Sequence, residues 1–389
     1  MTQNHTVLLE FLQAELAKKF ALSATERQTI YQQLQALIKS AQRHEKANWA
    51  AHMTPAVDEL ALVGQLLAGQ HHGNLLSAEL YPQLREIEQE VVAFFCPLFG
   101  QQEAHATHGG SYANLEALWR ARKQFGTYSR KVYASDQCHY SIAKACDILD
   151  LQLQLIPSNT QQQMDIGQLE KACKQQTPMA IVGTIGTTSS GQIDDVLQIQ
   201  QCIERYPCWL HLDAAWGGFL SLVTAPAANN TFYLADSVCF DPHKSLGVPR
   251  PCSLLLYQQS PPYSQAATAY LQQAPREVLP GSYGAELLLP LWLMLKIQGK
   301  AGLAAGIQSK LQQARDFTDY LNTLEGWWVQ GSPTAIVCFL PSSNIDLSEL
   351  VRLGVFSTTT MNGKMVYRAV FASQSTRSNA LIKALAPFL

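Results

Sequence analysis

The sequence predicts an α/β protein, with a large domain on a mostly parallel sheet covered by helices on both faces and a small α+β domain after it. Three observations carry this. Short apolar runs alternate with amphipathic stretches between residues 132 and 257, the pattern of βαβ units whose parallel strands need long crossovers. The chain has 389 residues, 47% hydrophobic and 15% charged. That is enough for a sizeable core and more than one domain, and unlike a disordered or collagen-like composition. Beyond about residue 300 the strand and helix patterns no longer alternate regularly, which suits a separate, smaller unit.

The elements follow in order. Residues 1–40 read as helical: Ser23 and Glu26 have capping-box spacing, and Ile30, Leu34 and Leu37 recur at helical intervals. Nothing within that segment covers its apolar face, so residues 1–50 are expected to form an arm that packs on another domain or subunit. The large domain is placed at 51–298. It opens with a helix over Leu84 to Phe95, then a glycine loop running into a second helix. Strands are expected at Val132–Ala134, Leu153–Ile156, Ala180–Ile185, Trp209–Leu212, Ser237–Phe240 and Ser253–Tyr257, with helices over Ile166–Gln175 and Val196–Arg205. A long apolar helix covers Leu287–Ile297. The small domain, 299–389, takes helices at Leu303–Leu324 and Ser378–Leu385 and strands at Ala335–Leu340 and Met365–Val370.

Composition excludes several function classes. With 28 basic and 30 acidic residues the formal charge is −2, which offers nucleic acid or an anionic membrane no electrostatic attraction. The nine cysteines are dispersed, with no CxxC pair, so they read as reduced thiols and not as a disulfide frame or zinc site; no metal is expected. The N-terminus lacks the basic segment of a signal peptide, and no uncharged apolar run is long enough to span a bilayer. A cytoplasmic enzyme is the expectation.

In open α/β sheets, ligands sit beyond the carboxyl ends of the strands, and four segments there carry chemistry. Thr107–Asn114 (THGGSYAN) places glycines before a helix, an arrangement that suits a phosphate at Gly110 and Ser111, although an ordinary turn has the same look. Asp213 ends an apolar strand in HLDAAWGG and needs a cationic partner if buried, such as a protonated pyridine; a helix-capping role is the alternative. Lys244, in DPHKS, follows another apolar strand. Burial there is expected to lower its pKa towards a usable, Schiff-base-forming amine, whereas a lysine in a surface turn would do nothing. His139, after the strand ending at Ala134, could stack on a planar ring or simply donate a structural hydrogen bond. Their order decides between these readings: a glycine loop, a histidine, a strand-end aspartate, then a lysine about thirty residues later. This is the set of groups a pyridoxal 5'-phosphate (PLP) enzyme requires.

On these residues the sequence resembles the group II PLP-dependent amino-acid decarboxylases of fold type I, especially the shorter tyrosine/aspartate/glutamate decarboxylases. THGGSYANLEALWRAR is similar to the family's TSGGTEAN-type phosphate loop, HYSIAKA to its HxSxxKA segment and GTIGTTSSGQIDD to its GTT…G.ID stretch. HLDAAWGG is similar to H(V/L)DAAxGG, and DPHKS to DPHKW or NPHKW. The resemblance covers roughly residues 50–380.

It implies an aspartate-aminotransferase-like fold and decarboxylation of an L-amino acid to its amine and CO2 through a Lys244 Schiff base and a quinonoid. Asp213 would pair with the pyridinium, His139 would stack on the ring and Ala215 would pack on its other face. Gly110 and Ser111 would bind phosphate, Thr187 would lie beside the cofactor and His243 would flank the phosphate or substrate. Ser282 would reach the neighbouring subunit's phosphate in a homodimer with the site at the interface, and Arg368 would meet the substrate carboxylate. Asn74, with His71 and His72, offers polar groups that would suit a pocket for a polar or acidic amino acid; that they are surface-loop residues is the alternative. Three positions depart from the pattern: His108, Tyr112 and Ser245 stand where Ser, Glu and Trp are common. The stretch between Tyr257 and Gly281 is also short, and neither Tyr263 nor Tyr270 aligns with the family's Cα-protonating tyrosine. The same cofactor cage would serve a carbon–carbon or carbon–sulfur lyase or a decarboxylation-coupled deamination.

Overall fold

The computed structural model describes residues 23–224, 231–259 and 277–389, together with residue 14. Tyr263, Tyr270 and most of residues 1–22 lie outside the described residues. The remainder of the arm forms α1 (Ala24–Ala41), capped as its spacing predicts: Glu26 N–H donates to Ser23 Oγ, and Ser23 N–H returns to the Glu26 carboxylate at 2.8 Å. Leu37 is 66% exposed, so α1 presents apolar surface that the other described residues do not cover.

The helices α2 (Glu59–His71) and α3 (Pro82–Phe99) lead into β1 (Glu103–Thr107) and α4 (Gly110–Phe125). The alternation then runs β2 (Lys131–Ser135), α5 (Tyr140–Ile148), β3 (Gln152–Ile156), α6 (Ile166–Gln175), β4 (Ala180–Thr184), α7 (Val196–Arg205), β5 (Trp209–Asp213) and β6 (Ser237–Phe240). The single-turn α8 (Pro242–Ser245) and β7 (Ser253–Tyr257) complete it. Asp165 and Asp195 cap α6 and α7 by accepting from Gln168 N–H and Gln198 N–H. The seven strands lie in the order β1-β7-β6-β5-β4-β2-β3. β2 to β6 pair in parallel, while β7 runs antiparallel to both β6 and β1. β4, β5, β6 and β7 are buried along their whole length, as strands covered on both faces must be.

The two helices expected over Leu287–Ile297 and Leu303–Leu324 are present, joined across a kink as α9 (Ala285–Asn322). Its break is at Gly299, with φ 60° and ψ −175°, which is where the small domain was expected to begin. By length and composition α9 could cross a bilayer, yet Leu287, Leu288, Leu291 and Met294 are buried in the main core. It crosses α2 at Gly64, where a Cβ would come within 2.6 Å of Pro290 Cα; any larger residue there must push the helices apart.

The small sheet contains β8 (Trp328–Gly331), β9 (Ile336–Leu340), β10 (Ser357–Met361) and β11 (Lys364–Val370), antiparallel in the order β10-β11-β9-β8, with α10 (Ser348–Arg352) and α11 (Ser378–Leu385) beside it. Residues 47–50 belong with this unit: Ala50 N–H donates to Val355 O, Val370 N–H to Ala50 O, and Arg377 N–H to Ala47 O. β1, β8 and β10 were not predicted. Each is short and polar or lies against a glycine loop, so neither alternation nor an apolar run marks it.

Candidate active site

A cavity of about 450 Å³ opens at the carboxyl ends of the parallel strands. Its wall brings together Gly110, Ser111, His139, Asp213, Ala215, His243 and Lys244, seven of the residues picked out in the sequence, with His108, Tyr112, Asn114, Asp241 and Arg250.

α4 begins at this cavity. Its first N–H groups, at Gly110 and Ser111, have no carbonyl within the helix to bond, and with the helix dipole they favour an anion. Gly110 is required there, because a Cβ would stand 2.9 Å from the Asp241 carboxylate and 3.3 Å from the Ala215 methyl.

Asp213 is 5% exposed at the end of β5. Its Oδ2 accepts from Asn114 Nδ2 at 2.9 Å and its Oδ1 from Ala215 N–H at 3.1 Å. Behind it runs a chain of hydrogen bonds in which each donor is used once. Trp209 Nε1–H donates to Ser237 Oγ at 2.9 Å, and the Ser237 hydroxyl donates to His211 Nδ1 at 2.9 Å. His211 Nε2–H donates to Asn114 Oδ1 at 2.9 Å. The second Asn114 amide hydrogen goes to Ser141 Oγ at 2.9 Å, and the Ser141 hydroxyl donates to His139 Nδ1 at 2.8 Å. Burial pulls the His211 pKa down to about 4, so the ring is neutral with one N–H, as this chain demands. His139 Nδ1 also accepts Ser141 N–H at 3.3 Å, which leaves its proton on Nε2. Burial lowers its pKa too, against the pull of Asp213. Asn114 thus ties the strand-end carboxylate to the ring of His139.

Lys244 differs from expectation. Burial does disfavour its ammonium, but the Asp241 carboxylate 3.1 Å away and the charge of Asp213 outweigh burial and raise the pKa. In the cofactor-free chain Lys244 is therefore a paired cation and not a lowered-pKa amine. Asp241, 1% exposed, is held ionised despite its burial by Lys244 and then by His243, whose Nε2 lies 3.7 Å away. His243 Nδ1–H donates to Cys252 O at 2.6 Å, and burial lowers its pKa. The lysine whose pKa burial does depress, to about 7, is Lys310 on α9, which donates to Ser245 O at 2.6 Å from behind the Lys244 turn.

Six expected residues lie off the cavity wall. The Thr187 hydroxyl pairs with Ser190 Oγ at 2.8 Å, and Gly186 and Thr188 line the cavity beside it. Arg368 is buried, donating to Ser357 Oγ at 3.1 Å, to Ala51 O at 3.3 Å and to Thr188 O; it braces the Thr188 wall from behind. Asn74 and Ser282 bond each other, Nδ2 to Oγ at 3.2 Å, on the surface. His71 and His72 end α2 away from the cavity. Asn114, Asp241, His211 and Ser141 lay inside recognised motifs but carried no assigned role. Arg250 had one available signal: an arginine between two prolines shortly after the lysine motif.

The donor set fits PLP. It provides an amine for an aldehyde at Lys244, a buried carboxylate for a pyridinium at Asp213, a flat ring at His139 opposite Ala215, and an open helix N-terminus for phosphate. By fold and site this is a pyridoxal-phosphate enzyme of the aspartate-aminotransferase-like class. Residues 10–340 match the family described as the pyridoxal-dependent decarboxylase conserved domain, and the chain belongs to that family.

Among its relatives, a probable L-tyrosine/L-aspartate decarboxylase of Methanosphaerula palustris is 28% identical over 257 residues, 64% of this chain and 70% of that protein. Human cysteine sulfinic acid decarboxylase is 28% identical over 323 residues, 73% of this chain and 64% of that protein. Drosophila melanogaster glutamate decarboxylase is 29% identical over 231 residues, 53% of this chain and 45% of that protein. The crystal structure of mouse CSAD superposes with a TM-score of 0.82 over 97% of this chain and 91% of that one, at 22% identity. Oryza sativa TDC with PLP and tryptamine gives 0.80 over 97% and 90%, at 20% identity.

Proposed function

We propose that this protein decarboxylates an L-amino acid to the corresponding amine and CO2, with Lys244 as the cofactor-bearing amine. The observation that carries the reading is the convergence of Lys244, Asp213 and His139 on one cavity with the open N-terminus of α4. PLP, when bound, supplies a sink for the electron pair left as the Cα–carboxylate bond breaks. Asp213, whose two oxygens are fixed by Asn114 Nδ2–H and Ala215 N–H, would hold a proton on the ring nitrogen. His139 and Ala215 hold the ring between them, Gly110 and Ser111 hold the phosphate, and His243 flanks it. Thr188, braced by Arg368, closes the wall beside Gly186. The product takes up one proton at Cα in place of the lost carboxylate, which balances the reaction.

Ser282 lies outside the cavity of its own chain, and α1 presents apolar surface that the other described residues do not cover. Both support a homodimer in which Ser282 and Asn74 approach the partner's site. The nine cysteines are all free thiols, in keeping with a reducing, cytoplasmic setting.

The test is a screen of the twenty amino acids and diaminobutyrate for CO2 and amine, with and without PLP. CO2 and an amine in equal amounts from at least one substrate, lost in Lys244→Ala, is the expected result; Asp213→Ala should keep some cofactor but lose orders of magnitude in rate. Aldehyde and ammonia, or sulfide, would place a different reaction on the same residues.

A further inference from the structure

The proposed reaction leaves one group in the cavity unexplained. The wall carries two carboxylates, Asp213 and Asp241, and two basic side chains, Lys244 and Arg250. Three of these have partners: Lys244 is paired with Asp241 at 3.1 Å, and Asp213 accepts from Asn114 and Ala215. Arg250 bonds only neutral oxygens, donating through Nη2 to Thr54 Oγ1 at 2.9 Å and to Met53 O at 3.3 Å. Among the described residues no carboxylate is within ion-pair distance of it. These two bonds hold the guanidinium by one nitrogen and leave the rest of its donor fork free. Its charge nevertheless reaches into the site, helping to lower the pKa of His243.

Its place in the cavity says which part of a ligand it meets. Cofactor phosphate belongs at the start of α4, the ring nitrogen at Asp213, and the substrate amine, with Cα beside it, at Lys244, which is half-buried at the cavity floor. Arg250 and Pro251 are exposed residues at the cavity rim. An amino acid whose Cα is held at Lys244 extends its side chain away from the floor, and Arg250 is the charged group at the rim. We propose that Arg250 binds the anionic end of the substrate side chain, so that the substrate is an acidic L-amino acid bearing a carboxylate or sulfinate. A planar fork of donors suits either group, and the pairing is charge-assisted. The inference rests on the decarboxylase reading and narrows it.

The test compares kcat/KM for L-aspartate, L-glutamate and L-cysteine sulfinate with that for L-tyrosine and L-leucine, in the PLP-loaded wild type and in Arg250→Gln and Arg250→Lys. The wild type prefers an acidic substrate. Arg250→Gln lowers kcat/KM for that substrate about 100-fold, chiefly through KM, as loss of a charge-assisted hydrogen bond requires. Arg250→Lys recovers part of the loss. PLP affinity, read by absorbance titration of the cofactor-free protein, stays within about twofold of wild type in both variants, because the proposal puts no cofactor contact on Arg250. A fall in PLP affinity would assign Arg250 to the phosphate, and an equal loss on acidic and neutral substrates would assign it to the α-carboxylate; either overturns the proposal. CO2 from neutral amino acids alone would overturn it while leaving the decarboxylase reading intact. CO2 from no amino acid would remove that reading itself.

Discussion

Replacing Asn114 by leucine keeps the volume of the side chain and removes the amide that joins both halves of the site. Three groups then lose a partner: His211 Nε2–H, Asp213 Oδ2 and Ser141 Oγ. His211 is fully buried and Ser141 is 1% exposed, so the ring N–H has no route to water. A buried polar group left unpaired costs about 1–3 kcal/mol. Asp213 lines the cavity, where solvent can replace part of what is lost, and Ser141 Oγ keeps its bond to His139, so the sum is about 2–4 kcal/mol. Urea unfolding of the cofactor-free variant should show that loss as a lower midpoint with an unchanged m-value. PLP affinity should fall with it, because the Asp213 carboxylate and the His139 ring are no longer held by a common support. Asn114→Asp tests the same point by charge: it can still accept from His211 but sets a second carboxylate against Asp213, and it should bind PLP more weakly than Asn114→Leu. A leucine variant within about 0.5 kcal/mol of wild type, with unaltered PLP affinity, would refute the network.

Two further outcomes follow from the charges in the site. Capture of PLP by the cofactor-free protein requires Lys244 without its proton, and the Lys244 pKa is raised, so the loading rate should climb with pH across the neutral range. Asp241→Asn removes the charge that offsets burial, so it should load faster at pH 7 and show a weaker pH dependence; stopped-flow absorbance reads both, and slower loading would contradict the ion pair's role. Stability should also report His211. Its folded-state pKa is about 4 against 6.5, so the unfolded chain takes up the proton first, and folding weakens as pH falls from about 6.5 towards 4, by about 3 kcal/mol. In urea titrations the gap between wild type and His211→Gln should narrow over that window, and a constant gap would contradict the buried neutral ring.

The core of the large sheet was legible because strands buried on both faces are apolar along their length, and Ile181–Val182, Leu210–Leu212 and Leu254–Leu256 could be read directly. β8 and β10 were not, since Trp328–Gly331 and Ser357–Met361 alternate polar and half-buried positions on a sheet open to one side. The residues of the site were legible as motifs, while their connections were not. That His211, Asn114 and Ser141 form one chain depends on β5, α4 and α5 meeting, and the sequence separates them by 97 and 27 positions. The prediction for Lys244 failed for a similar reason. Burial was inferred correctly from the strand before it, but Asp241, three positions away, is turned towards it only by the single turn of α8. Arg368 was read as facing substrate; without substrate its guanidinium, on β11, bonds Ser357 Oγ and the carbonyls of Ala51 and Thr188.

The account rests on Lys244 being the amine that takes the cofactor, and a competing lysine exists. Lys310 has the lower pKa, about 7, and sits behind the same turn, bonded to Ser245 O. Borohydride reduction of the PLP-loaded protein, followed by peptide mass spectrometry, decides between them. A phosphopyridoxyl group on Lys244 alone, absent from Lys244→Ala, is the result expected; the group on Lys310, or on no lysine, would contradict it.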